Sequence, residues 1–86
     1  MLYAENFLSK RADVRSSRTR DQIDAMLHVI EHMPGVGSTL VFDGMRRRYG
    51  DSILKALVRP YIIVYAYDKS NDIVYVYDLY AARTLR

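Results

Sequence analysis

The sequence predicts a single α+β domain in which an N-terminal helical hairpin packs on one face of a three- to four-stranded antiparallel sheet. Apolar residues recur at helical spacing up to about residue 34, whereas β-branched and aromatic residues alternate from about residue 39 to residue 80. A Pro-Gly pair at positions 34 and 35 separates the two regions. We expect residues 81–86 to form a short tail, and the 86-residue chain to suffice for one modest core.

Two amphipathic segments predict the helical hairpin. In residues 1–14 the apolar residues recur at helical spacing, and no capping residue precedes Leu2. We therefore expect the first helix to include the start of the chain. A second helix is expected to begin at Thr19 or Arg20, because Thr19-x-x-Gln22 matches a capping box. Its buried stripe recurs at steps of three and four residues and comprises Ile23, Met26, Leu27, Ile30 and Met33.

The middle of the chain is less regular. Residues 39–42 are apolar but short, which allows a short strand or an extended loop, and residues 45–50 are basic and ambiguous. Residues 52–58 are predicted to form a strand antiparallel to residues 61–67, because the residue before Pro60 favours extended geometry. Pro60 then occupies the turn, where its missing N–H is harmless.

A repeated hexapeptide predicts a tyrosine-rich hairpin. The residues IVYAYD from Ile63 return as IVYVYD from Ile73, separated by a polar loop at 68–72. We expect Tyr67 to lie opposite Ile73, which gives one aliphatic and one tyrosine-rich face. We expect the aliphatic face to lie under the helices and the tyrosine face to be open. The aliphatic face would carry Ile62, Val64, Ala66, Val74 and Val76, and the open face Tyr61, Ile63, Tyr65, Tyr67, Ile73, Tyr75 and Tyr77.

Composition excludes several classes of protein. The chain has no cysteine, so it has neither a disulfide framework nor a thiolate metal site, which fits a reducing cytoplasm. No apolar run approaches the length of a membrane span, and no secretory signal is present. The net charge is +3, with basic clusters at residues 10–20 and 46–48. These clusters indicate an anionic partner, either nucleic acid or an acidic protein, or else a solvated polar face.

Motifs for enzyme chemistry are mostly absent. Gly35-Val36-Gly37 follows a helix, which is the wrong context for a phosphate-binding loop. His28 and His32 lie at i and i+4, a geometrically possible metal pair, but no third ligand is evident. We therefore expect no metal and no cofactor. The basic and aromatic residues around the sheet suit RNA binding, metal-free RNA cleavage or recognition of an acidic protein segment equally well.

Three ordered motifs resemble those of the RelE/ParE toxin superfamily. Residues 30–37 resemble its Pro-x-x-Gly junction, and residues 59–65 resemble its strand motif G-R-Y-x-I-x-Y. Residues 73–79, followed by Tyr80-Ala81-Ala82-Arg83, resemble its closing strand and L-H-G-x-R end. The resemblance spans about residues 2–86. It implies a small bacterial toxin of a type II toxin–antitoxin system, a plasmid stabilisation protein that is neutralised by a cognate antitoxin wrapping around it.

The chain departs from the family pattern in two places. The family usually opens with a strand, so we expect that strand to be missing here, leaving an open sheet edge for a partner or for homodimerisation. The RelE branch usually places an arginine where this chain has Ile62, and the ParE branch a histidine where it has Tyr80. Arg83 matches the closing arginine, and Lys55 is a candidate for a basic strand residue of the family.

The resemblance supports three hypotheses. The leading one is a ParE-like toxin that inhibits growth by binding a target such as DNA gyrase, with partner-binding residues Tyr61, Tyr65, Tyr75, Tyr77 and Arg83. The alternative is a RelE-like, ribosome-dependent mRNA endonuclease that needs no metal. Its catalytic residues would be Lys55, Arg59, Tyr80 and Arg83. The third is an inactive remnant or a protein-binding module.

Overall fold

The computed structural model describes residues 1–81 and confirms the α+β class, with three helices on a four-stranded mixed sheet. The strands are β1 (Leu2–Tyr3), β2 (Ile53–Val58), β3 (Tyr61–Asp68) and β4 (Ile73–Ala81). The helices are α1 (Glu5–Ala12), α2 (Ser17–His32) and α3 (Asp43–Tyr49), and a single 3-10 turn covers Pro34–Val36. Ala81 therefore belongs to β4 rather than to the tail, while the predicted site residue Arg83 lies outside the described residues.

The strand β1 corrects two predictions. It pairs in parallel with β4, with Leu2 opposite Tyr75, and the amide of Ala4 donates to the carbonyl of Val76 at 2.8 Å. The first helix therefore begins at Glu5, the N-terminal strand is present, and the sheet is mixed rather than purely antiparallel. A two-residue strand has no periodicity of its own, and Leu2 and Tyr3 also fit a helical stripe. Only pairing with a distant strand selects the extended conformation.

The helices α1 and α2 lie on one face of the sheet. The N-cap of α2 is Ser16, whose hydroxyl oxygen accepts from the amide of Thr19 at 3.2 Å, so this helix starts slightly before the predicted capping box. The guanidinium of Arg11 donates to the carboxylate of Asp24 at 2.8 Å and links the two helices. The residues buried against the sheet are Phe7 of α1, Val14 of the loop between the helices, and Ile23, Leu27 and Ile30 of α2.

The predicted register of the hairpin is wrong by one residue. Tyr67 lies opposite Val74 rather than Ile73, and Tyr65 lies opposite Val76. Because successive side chains point to opposite faces, this shift exchanges the two faces of β3 relative to β4. The face of β3 that carries Tyr61, Ile63, Tyr65 and Tyr67 therefore packs under the helices, together with Val74 and Val76 of β4. A bulge that leaves Tyr77 unpaired brings Leu79 opposite Ile63 on the same face.

The second face of the sheet is partly covered by α3 and the loop before it. Val41, Met45 and Tyr49 pack against a cluster of β2, β3 and β4 residues that comprises Ile53, Ile62, Val64, Ala66 and Tyr80. The open tyrosine face predicted from the sequence is therefore not formed: its β3 residues lie under the helices, and its β4 tyrosines lie on this second face, which α3 partly covers. The spacing of Val41, Met45 and Tyr49 at i, i+4 and i+8 is the signal that would have predicted α3, but Arg46–Arg48 obscure it.

Tyr65 links β3 to the end of α2. Its side chain is fully buried, and its hydroxyl donates to the carbonyl of Pro34 at 2.7 Å while accepting from the amide of Gly37 at 2.8 Å. Both distances lie within the usual range for hydrogen bonds, and both backbone groups belong to the segment that follows α2. The buried hydroxyl therefore positions this segment against the sheet.

We expect the domain to lose stability in alkali through Tyr65. Burial raises the pKa of its phenol above the usual value of 10.0. Its contribution to stability is complete below pH 10.0 and is lost as the pH rises through the higher folded-state pKa. The free energy of unfolding, measured in urea against pH, should fall less steeply above pH 10.0 in Tyr65→Phe than in the wild type. Equal slopes would contradict this assignment.

Candidate partner-binding groove

The strand β2 forms an outer edge of the sheet with backbone groups that face outward. The amide and the carbonyl of Lys55 each bond to Ser38, both at 2.8 Å, so the backbone of Lys55 points away from β3. Outward and inward groups alternate along an antiparallel strand, so those of Leu57 also face the edge. Within residues 1–81, no backbone group from outside the sheet bonds to Leu57. This position therefore offers unpaired backbone groups to an added strand.

An apolar groove runs between this edge and α2. It consists of two adjoining depressions of about 490 and 340 Å³, which share Met26 and Leu57. Val36 and Val29 are 46% and 38% exposed and form an apolar surface at the groove. The side chain of Leu57 is 48% exposed and lies on the other face of the edge strand, because Leu57 pairs with Ile62 of the second face. Exposed apolar side chains beside unpaired backbone groups are typical of a protein interaction site.

The rim of the groove is basic. Lys55 and Arg59 flank Leu57 on the edge strand and its turn, so two of the predicted catalytic residues lie at this groove. If two copies paired antiparallel about Leu57, Lys55 of one copy would face Arg59 of the other. Like charges directly opposite each other destabilise a strand pair. The charges at this edge therefore favour an acidic partner over a second copy of the chain.

The other predicted catalytic residue, Tyr80, lies apart from these two. It sits on β4 and is 9% exposed, with the ring of Phe42 edge-on at 6.2 Å. Because β3 separates β4 from β2, Tyr80 and Lys55 belong to strands roughly 10 Å apart. Burial, with a contribution from Asp78, raises the pKa of Tyr80, which keeps its phenol protonated. Lys55, Arg59 and Tyr80 do not form one cluster.

The predicted partner-binding tyrosines are divided between the two faces. Tyr65 is fully buried and Tyr61 is half-buried against the helices, so the interpretation of Tyr65 as an open surface is wrong. Tyr75 and Tyr77 lie half-buried on the second face, with ring centroids 6.3 Å apart. Tyr49 continues this stack at 5.1 Å from Tyr77, and the guanidinium of Arg48 lies 5.3 Å from the centroid of the Tyr49 ring. The role of Tyr75 and Tyr77 as a contact surface stays a prediction, and the structure places both rings beside basic α3.

A buried carboxylate joins three elements near this stack, and sequence reasoning missed it. Asp78 is 0% exposed and accepts from the ammonium of Lys10 at 2.7 Å, the amide of Asn6 at 3.1 Å and the hydroxyl of Tyr49 at 3.1 Å. It also accepts from the backbone amide of Leu79 at 2.8 Å. Burial, followed by the charge of Asp78, raises the pKa of Tyr49. The carboxylate is fully satisfied by these partners and therefore ties α1 and α3 to β4.

Comparison of the chain with protein-family models and with curated proteins found no match. Within the part of the chain that the structure describes, none of the helices combines the length and apolar character needed to cross a membrane.

Proposed function

We propose that this chain is the toxin of a bacterial type II toxin–antitoxin module, a cytoplasmic ParE-like protein that inhibits growth by binding a target such as DNA gyrase. The observation that carries this proposal is β1. The resemblance to the RelE/ParE superfamily implies a strand, a helical hairpin and then an antiparallel sheet. With Leu2–Tyr3 paired to β4, residues 1–81 have that order of elements, with the short helix α3 inserted between the hairpin and β2.

The position of the candidate catalytic residues favours target binding over RNA cleavage. Lys55 and Tyr80 lie on strands that are not neighbours, and Phe42 covers Tyr80. Ile62, which stands where the nuclease branch has an arginine, is buried between the sheet and α3. Removing a preorganised charge that stabilises developing phosphate charge costs on the order of 3 kcal/mol in the transition state. A RelE-like, ribosome-dependent mRNA endonuclease is therefore the second candidate.

We infer that the antitoxin neutralises this chain by binding in the groove at β2. An acidic segment in extended conformation would bond to the outward backbone groups of Leu57, place apolar side chains over Met26 and Val29, and pair with Lys55 and Arg59. Such a segment is typical of a small, acidic, partly disordered protein that orders on binding. The gene for that protein is expected immediately beside the gene for this chain.

The decisive experiments separate the two activities. Induced expression should arrest growth, and the purified protein should inhibit supercoiling by gyrase while leaving transcripts intact in a ribosome-coupled cleavage assay. Cleaved transcripts with normal supercoiling would instead establish the endonuclease. Growth that is unaffected by expression would leave the inactive remnant, or a protein-binding module, as the function of the chain.

We expect Leu57→Asp to weaken binding of the protein encoded by the neighbouring gene at least 10-fold. The substitution places a negative charge on the edge strand, where it repels an acidic segment added to that strand, and loss of an interface anchor commonly costs about 2 kcal/mol or more. Titration calorimetry with the purified partner measures the change. Leu8→Asp is the matched control, because Leu8 is 49% exposed on α1 against 48% for Leu57. Equal losses in both variants would exclude the groove as the contact surface.

A further inference from the structure

The two histidines of the chain lie together near the end of α2. His28 and His32 are one helical turn apart and both exposed, with ring centroids 4.4 Å apart and ring planes tilted by 52°. Two imidazole nitrogens that share a tetrahedral Zn²⁺ at 2.0–2.1 Å stand about 3.3 Å from each other. A centroid separation of 4.4 Å is compatible with that spacing.

A backbone hydrogen bond already orients His32 as a ligand. Its Nδ1 lies 2.9 Å from the carbonyl oxygen of His28, and because a carbonyl only accepts, Nδ1 is the donor. In the neutral ring the proton is then on Nδ1, and the lone pair of Nε2 is free. Histidine ligands of metal ions usually make this contact, in which the second ring nitrogen donates to a carbonyl and fixes the tautomer.

The surroundings of the pair attract a cation. His28 shares a small depression with Asp24 and Glu31. Because Asp24 is paired with Arg11, the attraction for a cation comes mainly from Glu31. Burial, followed by the negative charges of Glu31 and Asp24, raises the pKa of Tyr3 in the same depression. His32 is the last residue of α2, where the partial negative charge of the helix terminus also favours a cation.

We propose that His28 and His32 form a two-ligand binding site for a divalent transition-metal ion such as Zn²⁺, Ni²⁺ or Cu²⁺. Imidazole nitrogen selects these ions over Mg²⁺ and Ca²⁺, which require oxygen ligands. Residues 1–81 contain no group of three or more His, Cys, Asp or Glu side chains placed to hold a metal. Water completes the coordination, and the affinity is below that of a four-ligand structural site. The expectation of no metal rested on the missing third ligand, which a two-ligand site does not need.

Titration calorimetry of ZnCl₂ and of NiCl₂ into the metal-free protein tests this site. One ion should bind per chain, and each of His28→Ala and His32→Ala should weaken binding at least 10-fold. The double variant should bind neither ion. At an ion concentration tenfold above Kd, the Tm of the wild type should rise by roughly 6–11 °C and that of the double variant should not change.

Glu5→Gln is the control, because it removes an exposed carboxylate on α1 and retains both rings. It should retain one Zn²⁺ per chain, and far-UV circular dichroism should show that all variants fold. Zinc binding by the double variant with the affinity of the wild type would overturn the proposal. The proposal would also be overturned if the wild type showed neither binding nor a change in Tm at millimolar ZnCl₂. Binding of Zn²⁺ that MgCl₂ abolishes would contradict it as well.

Discussion

Gly37→Ala is expected to destabilise the domain by about 2–4 kcal/mol. A Cβ atom at Gly37 would collide with the hydroxyl of Tyr65 and would lie 2.9 Å from the carbonyl oxygen of Lys55. Neither neighbour gives way easily. Tyr65 is fully buried, and Lys55 is held in β2 by its pairing with β3 and with Ser38. Relief of the collision therefore requires loss of the hydrogen bonds between Tyr65 and the segment after α2, or displacement of the edge strand.

Gly35→Ala is the matched control for this substitution. A Cβ atom at Gly35 meets nothing within 4 Å, so the free energy of unfolding should change by less than about 0.5 kcal/mol. The midpoints of urea unfolding of the two variants measure the difference. Similar midpoints for Gly37→Ala and the wild type would show that the close contact between Gly37 and Tyr65 does not constrain the fold.

Asp78→Ala is expected to destabilise the domain by about 2–4 kcal/mol. The carboxylate is fully buried, and its removal leaves the hydroxyl of Tyr49 without this acceptor and the amide of Asn6 with only its longer contact to that hydroxyl, at 3.5 Å. The side chain of Lys10 is 42% exposed, so its ammonium regains water and adds less to the cost than a buried charge would. Asp51→Ala, at an exposed turn residue, should change the stability by less than about 0.5 kcal/mol.

The loss of Asp78 should also loosen α3 selectively. Tyr49 anchors this short helix through its hydroxyl on Asp78 and its ring on Tyr77. Without the carboxylate, amide hydrogens of residues 43–49 should exchange faster than those of α2, which keeps its buried contacts with the sheet. A uniform increase in exchange across all the helices would show that Asp78 acts on global stability alone.

Local sequence patterns predicted the helices and strands that are long enough to show a regular spacing of apolar residues. The helix α2 and the strands β3 and β4 were predicted to within two or three residues of their ends, because each repeats its apolar residues over several turns or alternations, and β2 was predicted from the proline that follows it. The strand β1 has only two residues, which is too short for an alternating pattern. In α3, three consecutive arginines interrupt the apolar residues, so their helical spacing is not evident. Both take their structure from contacts with distant parts of the sheet.

The sequence predicted only those parts of the candidate site that a local pattern marks. Lys55 and Arg59 stood out as basic residues on and after a strand, and both lie at the groove. Met26 and Val36 belong to separate segments that sequence reasoning assigned only to the core and to a turn. The polar network around Asp78 draws on α1, α3 and β4, and no spacing in the sequence relates these elements.

The sequence by itself determined the α+β class, the helical hairpin, the tyrosine-rich strand pair, and the basic, cysteine-free surface. Only the tertiary structure decided which face of β3 is buried. Alternation within a strand defines two faces but does not say which one meets the helices, because a register shift of one residue exchanges them. Here the hydrogen bonds of the Tyr65 hydroxyl to Pro34 and Gly37 and the bulge at Tyr77 accompany the observed register. These contacts join residues far apart in the chain, so the buried tyrosine face follows from long-range packing rather than from local preference.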